Sequence, residues 1–227
     1  MDSEAAAPRA EERPGLGTSW GETRSSHVSD VEFARAADRP FAVASVYYND
    51  REGVQAMASY DARRGARPGL TMPVRGGLGV SIVDENGDSL PAHAVGDRVY
   101  VIGEAGHRYS LLIDNQTARR FEVLASVDGL DVVAGDTASF DHRGYVISPW
   151  SKVTIDGFRK NLDEVAAFRF GTVSDSYAAQ TSGDRNVGVI GVAFFEEHGA
   201  PAWSDDEIER RRAATPFSDA RFARPPR

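Results

Sequence analysis

Along residues 78–196 the chain alternates short apolar runs with clusters of Gly, Asn, Asp and Pro. The repeat of about 8–12 residues is the spacing of an all-β sandwich or barrel. Runs at 78–83, 98–102, 109–113, 121–127, 144–147, 152–155, 166–170 and 187–195 read as strands. Asn86-Gly87, Asp114-Asn115, Asp128-Gly129, Ser148-Pro149 and Asp156-Gly157 divide them, and Asn or Asp before Gly makes a positive-φ turn cheap. In 121–127, Phe121, Val123, Ala125 and Val127 share one face, opposite Glu122, Leu124 and Ser126. One face buried and one partly wet suits an antiparallel sheet. Residues 187–195 are instead apolar on both faces, which predicts a central strand whose Gly188 and Gly191 admit close neighbours.

Upstream, residues 41–48 form a β-branched and aromatic run closed by Asn49-Asp50. The stretch 51–64 carries Val54, Met57 and Ala58 at helical spacing and is stopped by Gly65 and Pro68. Residues 1–40, with eight acids and five arginines, lack apolar periodicity and read as a flexible acidic leader. Its exception is Trp20, set between glycines, which suits a groove on the folded part. At the other end, Ser204 and Glu207 match a capping box ahead of a short charged helix at 208–214, followed by a frayed tail. The expected organisation is a leader at 1–40, one antiparallel β-sandwich (Ig-like or jelly-roll-like, with minor helical segments) at 41–197, and a charged helix and tail at 198–227. No internal repeat is visible.

Composition narrows the chemistry. The 34 acids against 26 Lys and Arg leave a net charge of −8 and no basic stripe, which argues against nucleic acid as a partner. No run approaches the roughly 20 apolar residues of a membrane-spanning helix, and the first residues lack a signal-peptide pattern. The localisation expected by default is cytoplasmic, or periplasm and envelope if a leader was trimmed. With no cysteine in 227 residues, thiol catalysis, disulfides and cysteine-based metal sites are excluded.

No cofactor or metal is expected. The five histidines never pair at ligand spacing, and Asp84-Glu85-Asn86-Gly87-Asp88 reads as a hairpin turn rather than a calcium loop. Asn115-Gln116-Thr117 matches a glycosylation triplet but falls at a turn, where Asn and Thr serve the backbone. There is no nucleophile elbow or phosphate-binding glycine loop; Ser139 and His142 share only a loop. Arg159, Tyr177, Arg185 and Asn186 gather in loops flanking apolar strands, and Arg and Tyr are residue types enriched at recognition surfaces. The competing reading gives these residues structural duties, with Ser174 capping a helical turn.

The ordered set RYSLLIDNQTARR at 108–120, SVDGL at 126–130, GYV at 144–146, IDGF at 155–158, VAAF at 165–168, DSYAA at 175–179 and NVGVIG at 186–191 resembles an uncharacterised group of β-rich bacterial proteins, often exported or envelope-associated. The resemblance covers residues 87–196 and implies kinship without assigning any catalytic or ligand residue. The function expected is a non-enzymatic binding or adaptor module that recognises a protein or cell-envelope partner through Arg159, Tyr177, Arg185 and Asn186. Two alternatives stand beside it: a sandwich-scaffold hydrolase or carbohydrate-active enzyme drawing on Asp128, Asp131, Asp156 and Asp175, and a structural subunit of a larger assembly. The oligomeric state is left open.

Overall fold

The structure, a computed structural model, describes residues 13–63, 68–69, 73–74, 77–95, 98–199 and 211–213. It is mostly β: two sheets pack face to face, with two helices among the described residues. In chain order the elements are β1 (Leu16–Ser25), β2 (Ala42–Asn49), α1 (Arg51–Arg63), β3 (Pro68–Gly69), β4 (Pro73–Val74), β5 (Leu78–Val83), β6 (Ala92–Val95) and β7 (Arg98–Ile102). They continue as β8 (Arg108–Asn115), β9 (Phe121–Val127), β10 (Leu130–Asp131), β11 (Tyr145–Ile147), β12 (Ser151–Ile155), β13 (Gly157–Arg159), β14 (Glu164–Thr172), α2 (Tyr177–Thr181) and β15 (Val189–Glu196).

The first sheet runs β1-β14-β8-β5-β4, with β12 beside β8 and β13 beside β14. The second runs β10-β9-β15-β2-β7-β6-β3, with β11 beside β9. Between them lies one core, in which Tyr109, Leu111, Ile113, Phe168 and Phe170 of the first sheet meet Tyr48, Val123, Val127, Ile190 and Phe194 of the second. The alternation expected in β9 places Phe121, Val123, Ala125 and Val127 in this core. β15 is central, flanked by β9 and β2, and is buried on both faces: Ala193 and Phe195 join Leu124 in a second small cluster on the outer side. The loop carrying Phe140 and the Arg35 guanidinium, 3.7 Å from the Phe195 ring centre, cover that side.

Two features depart from the sequence reading. First, β1 lies inside the stretch expected to be a flexible leader, paired with β14 along the sheet edge. Its buried positions are Leu16, Gly17 and Thr18, of which Leu16 alone is a large apolar residue, so counting apolar residues misses the strand. Gly21 allows the approach, because a Cβ there would lie 2.5 Å from the Ala167 carbonyl oxygen. Second, β2 and β7 pair in parallel within an otherwise antiparallel fold. A parallel pair needs a long crossover, and α1 sits in it. The Asp50 side chain caps that helix by accepting the Gly53 amide at 2.7 Å, and Val54 buries its apolar side.

Two of the expected Gly turns form, whereas Asp156-Gly157 does not: Gly157 has no positive φ and opens strand β13. Asp84 and Asp88 close the Asn86-Gly87 turn through backbone bonds, and Asp128-Gly129, both at positive φ, link β9 to β10 as a two-residue hairpin. Asn115 is fully buried. Its side chain donates to the Arg119 and Ser148 carbonyls and accepts from Thr117, so the triplet is turn chemistry. The cap of α2 is Ser176, accepting from the Ala179 amide, rather than Ser174, whose hydroxyl instead meets Thr172. The Ser204 capping box and residues 208–210 and 214 of the expected C-terminal helix lie outside the described residues; residues 211–212 are helical.

Candidate functional site

At the side of the sandwich the two sheets part, and a cleft of about 660 Å³ opens between the extended segment 26–31, β11, β12 and the end of β13. Neither β11 nor β12 has a strand on its outer edge among the described residues: β11 pairs only β9 and β12 only β8. Val31 and Leu162 stand at the mouth, 56% and 52% exposed.

Two guanidiniums reach the cleft. Arg159 follows from the Phe158 strand, whose apolar ring anchors β13 in the core, while its own side chain turns sideways. It donates to the Ser26 carbonyl at 2.5 Å, the Ser26 hydroxyl at 3.1 Å, the Tyr145 hydroxyl at 3.2 and 3.3 Å and the Asn161 carbonyl at 3.3 Å. All four partners are neutral, and among the described residues no carboxylate lies within ion-pair distance of it. Burial raises the Tyr145 hydroxyl above its usual pKa against the lowering effect of Arg159, and the more distant charges of Asp131 and Asp156 add to the rise.

Arg143 approaches from the opposite wall. Its Nε donates to Glu122 at 2.9 Å and its Nη2 to the Phe33 carbonyl at 2.7 Å, while the side chain remains 59% exposed. Glu122 sits on the outward face of β9, where a solvated acid is the simplest expectation, yet it is buried. Arg35 binds its other oxygen at 2.8 Å, and the Gly144 amide adds a third bond at 2.8 Å. A Cβ at Gly144 would fall 2.1 Å from the Val123 carbonyl, so glycine is what lets that amide reach the carboxylate. Burial alone would raise the Glu122 carboxyl, but the bonds from Arg35 and Gly144 and the two positive charges outweigh it and hold the group below the usual range. One carboxylate thus serves two arginines, and the cleft lining balances Arg143 and Arg159 against Glu122 and Asp30.

Of the four residues expected from sequence, Arg159 lines this cleft and the others do not. Tyr177 packs on Trp20, with ring centres 4.7 Å apart, and on Phe158 at 5.0 Å. Trp20 lies parallel to Phe158 at 6.1 Å while remaining 44% exposed. Asn186 is exposed and leans over Gly129, and Arg185 is exposed beside it. The acids weighed for an enzyme have local duties. Asp128 accepts from Tyr48 and two amides. Asp131 takes the Val133 and Ala134 amides through Oδ1 and faces His142 Nδ1 at 3.4 Å through Oδ2. Asp156 accepts the Ser110 hydroxyl, and Asp175 that of Thr172. Ser139 turns to Asp141, not to His142. No group of three metal-ligating side chains occurs among the described residues.

Sequence reasoning missed Arg143, Tyr145, Val31 and Leu162. Tyr145 belongs to the GYV triplet and the others to no motif, and they meet because segment 26–31 runs beside the turn from β13 to β14, tied by the Ser26 and Val28 amides to the Asp163 and Leu162 carbonyls. Comparison with known family models, curated proteins and solved structures gives no match, so the geometry alone carries the functional reading.

Proposed function

We propose that this protein is a non-enzymatic binding module whose partner, a protein or cell-envelope component, is held in the cleft between segment 26–31 and the β11 and β12 edges. The observation that carries the reading is the convergence of exposed aliphatic side chains, Val31 and Leu162, with the Arg143 and Arg159 guanidiniums on one recess of about 660 Å³. Ligand sites fall in the range of roughly 300–1,000 Å³ and combine apolar walls with a few placed polar groups. Arg is enriched at such surfaces because its planar fork gives both direction and charge. Arg159 belongs both to this site and to the surface expected from sequence, while Tyr177 serves the aromatic stack that closes the end of the sandwich.

The test places a photo-crosslinking amino acid at position 162 and, in a separate protein, at the exposed Trp150, in extract of the source organism. An adduct formed from position 162 and lost in the Arg143→Gln background supports the reading. Equal adducts from both positions, or none from 162, remove it. Arg35 continues to hold Glu122 in that variant, so the fold is retained.

A further inference from the structure

We infer that Trp150 is the platform of a second binding site, which takes a neutral oligosaccharide by stacking a sugar ring on the indole. Trp150 does not line the cleft, so this site goes beyond the function proposed above and stands or falls apart from it.

Three observations converge. The first is the cost of the residue. Trp150 is 70% exposed, more than any other large apolar side chain among the described residues, and its backbone sits at φ 53°. Gly and Asn adopt that region readily, whereas a bulky side chain is strained there. Asp128 is the other non-glycine residue with positive φ among the described residues, and its carboxylate binds two amides and a hydroxyl from that position. The Trp150 ring makes no aromatic contact, cation–π contact or side-chain hydrogen bond among the described residues. Strain at an exposed residue without a structural duty points to a contact outside the chain.

The second observation is rigid presentation. The buried Asn115 side chain and the Ser151 hydroxyl both donate to the Ser148 carbonyl, at 2.8 and 2.7 Å. The Trp150 amide donates to the Thr117 carbonyl at 3.0 Å. The turn between β11 and β12 is therefore fixed before any ligand arrives, which lowers the ordering cost of binding.

The third is the setting of the ring. Beside this turn, at the end of β8, Asp114 Oδ2 accepts from Gln116 Nε2 at 2.9 Å and faces Lys152 Nζ at 3.4 Å. Lys152 is 61% exposed and Gln116 is exposed. The other exposed large apolar side chains, such as Val43, Phe140 and Leu162, belong to other segments. A lone indole bordered by donors and acceptors does not suit a bilayer or the core of a protein interface, both of which call for an apolar patch. It suits a pyranose, whose C–H face meets the negative face of the ring. The sugar hydroxyls can donate to the carboxylate and accept from the amide and ammonium groups. Lys152 and Asp114 cancel in charge, and a chain of net charge −8 repels anions, so the fitting sugar is uncharged.

The experiment probes an array of neutral and acidic oligosaccharides with the full chain. The best-retained oligosaccharide is then titrated against wild type, Trp150→Gly, Trp150→Phe and Leu162→Lys, and urea unfolding is measured on each protein. The expected result is retention of neutral oligosaccharides, at least roughly tenfold weaker binding to Trp150→Gly, partial rescue by Trp150→Phe and unchanged binding to Leu162→Lys. Because Gly adopts positive φ without strain, Trp150→Gly should also raise the unfolding midpoint. A midpoint that stays level or falls overturns the inference, since position 150 would then carry no strain to explain. An array that retains nothing, or acidic oligosaccharides alone, overturns it as well. Binding lost in Leu162→Lys but kept in Trp150→Gly assigns the sugar to the cleft and overturns the site at Trp150. The crosslinking control at position 150 replaces this indole, so the two tests do not interfere.

Discussion

Strand β9 carries a buried acid at one end and leads into another at its far end, and the protein treats them in opposite ways. Glu122 is met by two guanidiniums and an amide. Among the described residues Asp128 has no cation in contact: its oxygens accept the Thr18 amide at 2.8 Å, the Gly188 amide at 2.9 Å and the Tyr48 hydroxyl at 2.5 Å. Because Tyr48 gives its single proton to Asp128, the Thr18 hydroxyl, 2.7 Å away, must donate to Tyr48 and accept from Tyr109 at 2.6 Å. The result is a directed relay, Tyr109 to Thr18 to Tyr48 to Asp128, that spans both sheets. Burial raises the Asp128 carboxyl despite those bonds, whereas compensating charge lowers Glu122. Enclosing a carboxylate therefore does not fix its behaviour; the formal charge of its donors does.

The comparison breaks most visibly at Glu122. Replacing it with Ala strands a nearly buried Arg35 and the Gly144 amide, and the expected loss is about 3–5 kcal/mol in urea unfolding. A loss below about 1 kcal/mol would show that the pair is solvated. Next comes Thr18→Val, which keeps the shape but cuts the relay between the tyrosines. A loss of about 1–3 kcal/mol is expected for the stranded hydroxyls, together with faster hydrogen exchange across β1. Unchanged exchange there would mean the relay does not anchor the strand.

Acid separates the two carboxyls by sign. Asp128, raised, contributes stability that is fully present below the ordinary Asp value of about 3.9 and is lost as pH rises through its folded value. Glu122, lowered, contributes stability present above about 4.3 and lost as pH falls through its folded value. Unfolding measured from neutral pH downward should therefore show wild type gaining on Asp128→Asn as acid is added, then losing its advantage over Glu122→Gln at lower pH. Parallel curves for both variants would refute the contrast. The smallest effect is expected at the surface pair of His27 and Asp163, both largely exposed: His27→Ala should leave the unfolding midpoint unchanged.

Much of this fold is legible along the chain wherever burial and period agree. β5, β7 and β9 match their predicted spans residue for residue, since each places apolar side chains at alternate positions between turn signals. β1 was hidden because Thr18 takes a core position that only a hydroxyl relay makes habitable. β13 was hidden because three residues, 157–159, carry too little period to count. Of the cleft, Arg159 alone was legible, as an arginine in a loop beside apolar strands. Arg143 and Glu122 gave no signal, because their 21-residue separation says nothing about adjacency until β11 pairs with β9.

What the sequence by itself determined is the strands with clear alternation, their inward faces and the Asn86-Gly87 and Asp128-Gly129 turns, because these depend on side-chain alternation and local backbone sterics. It also excluded thiol chemistry outright. Which edges stay unpaired, which acids are buried with a cation and which without, and which arginines face one recess were decided only by the tertiary structure. Those properties depend on contacts between segments as far apart as Ser26 and Arg159, and no local pattern encodes such a distance.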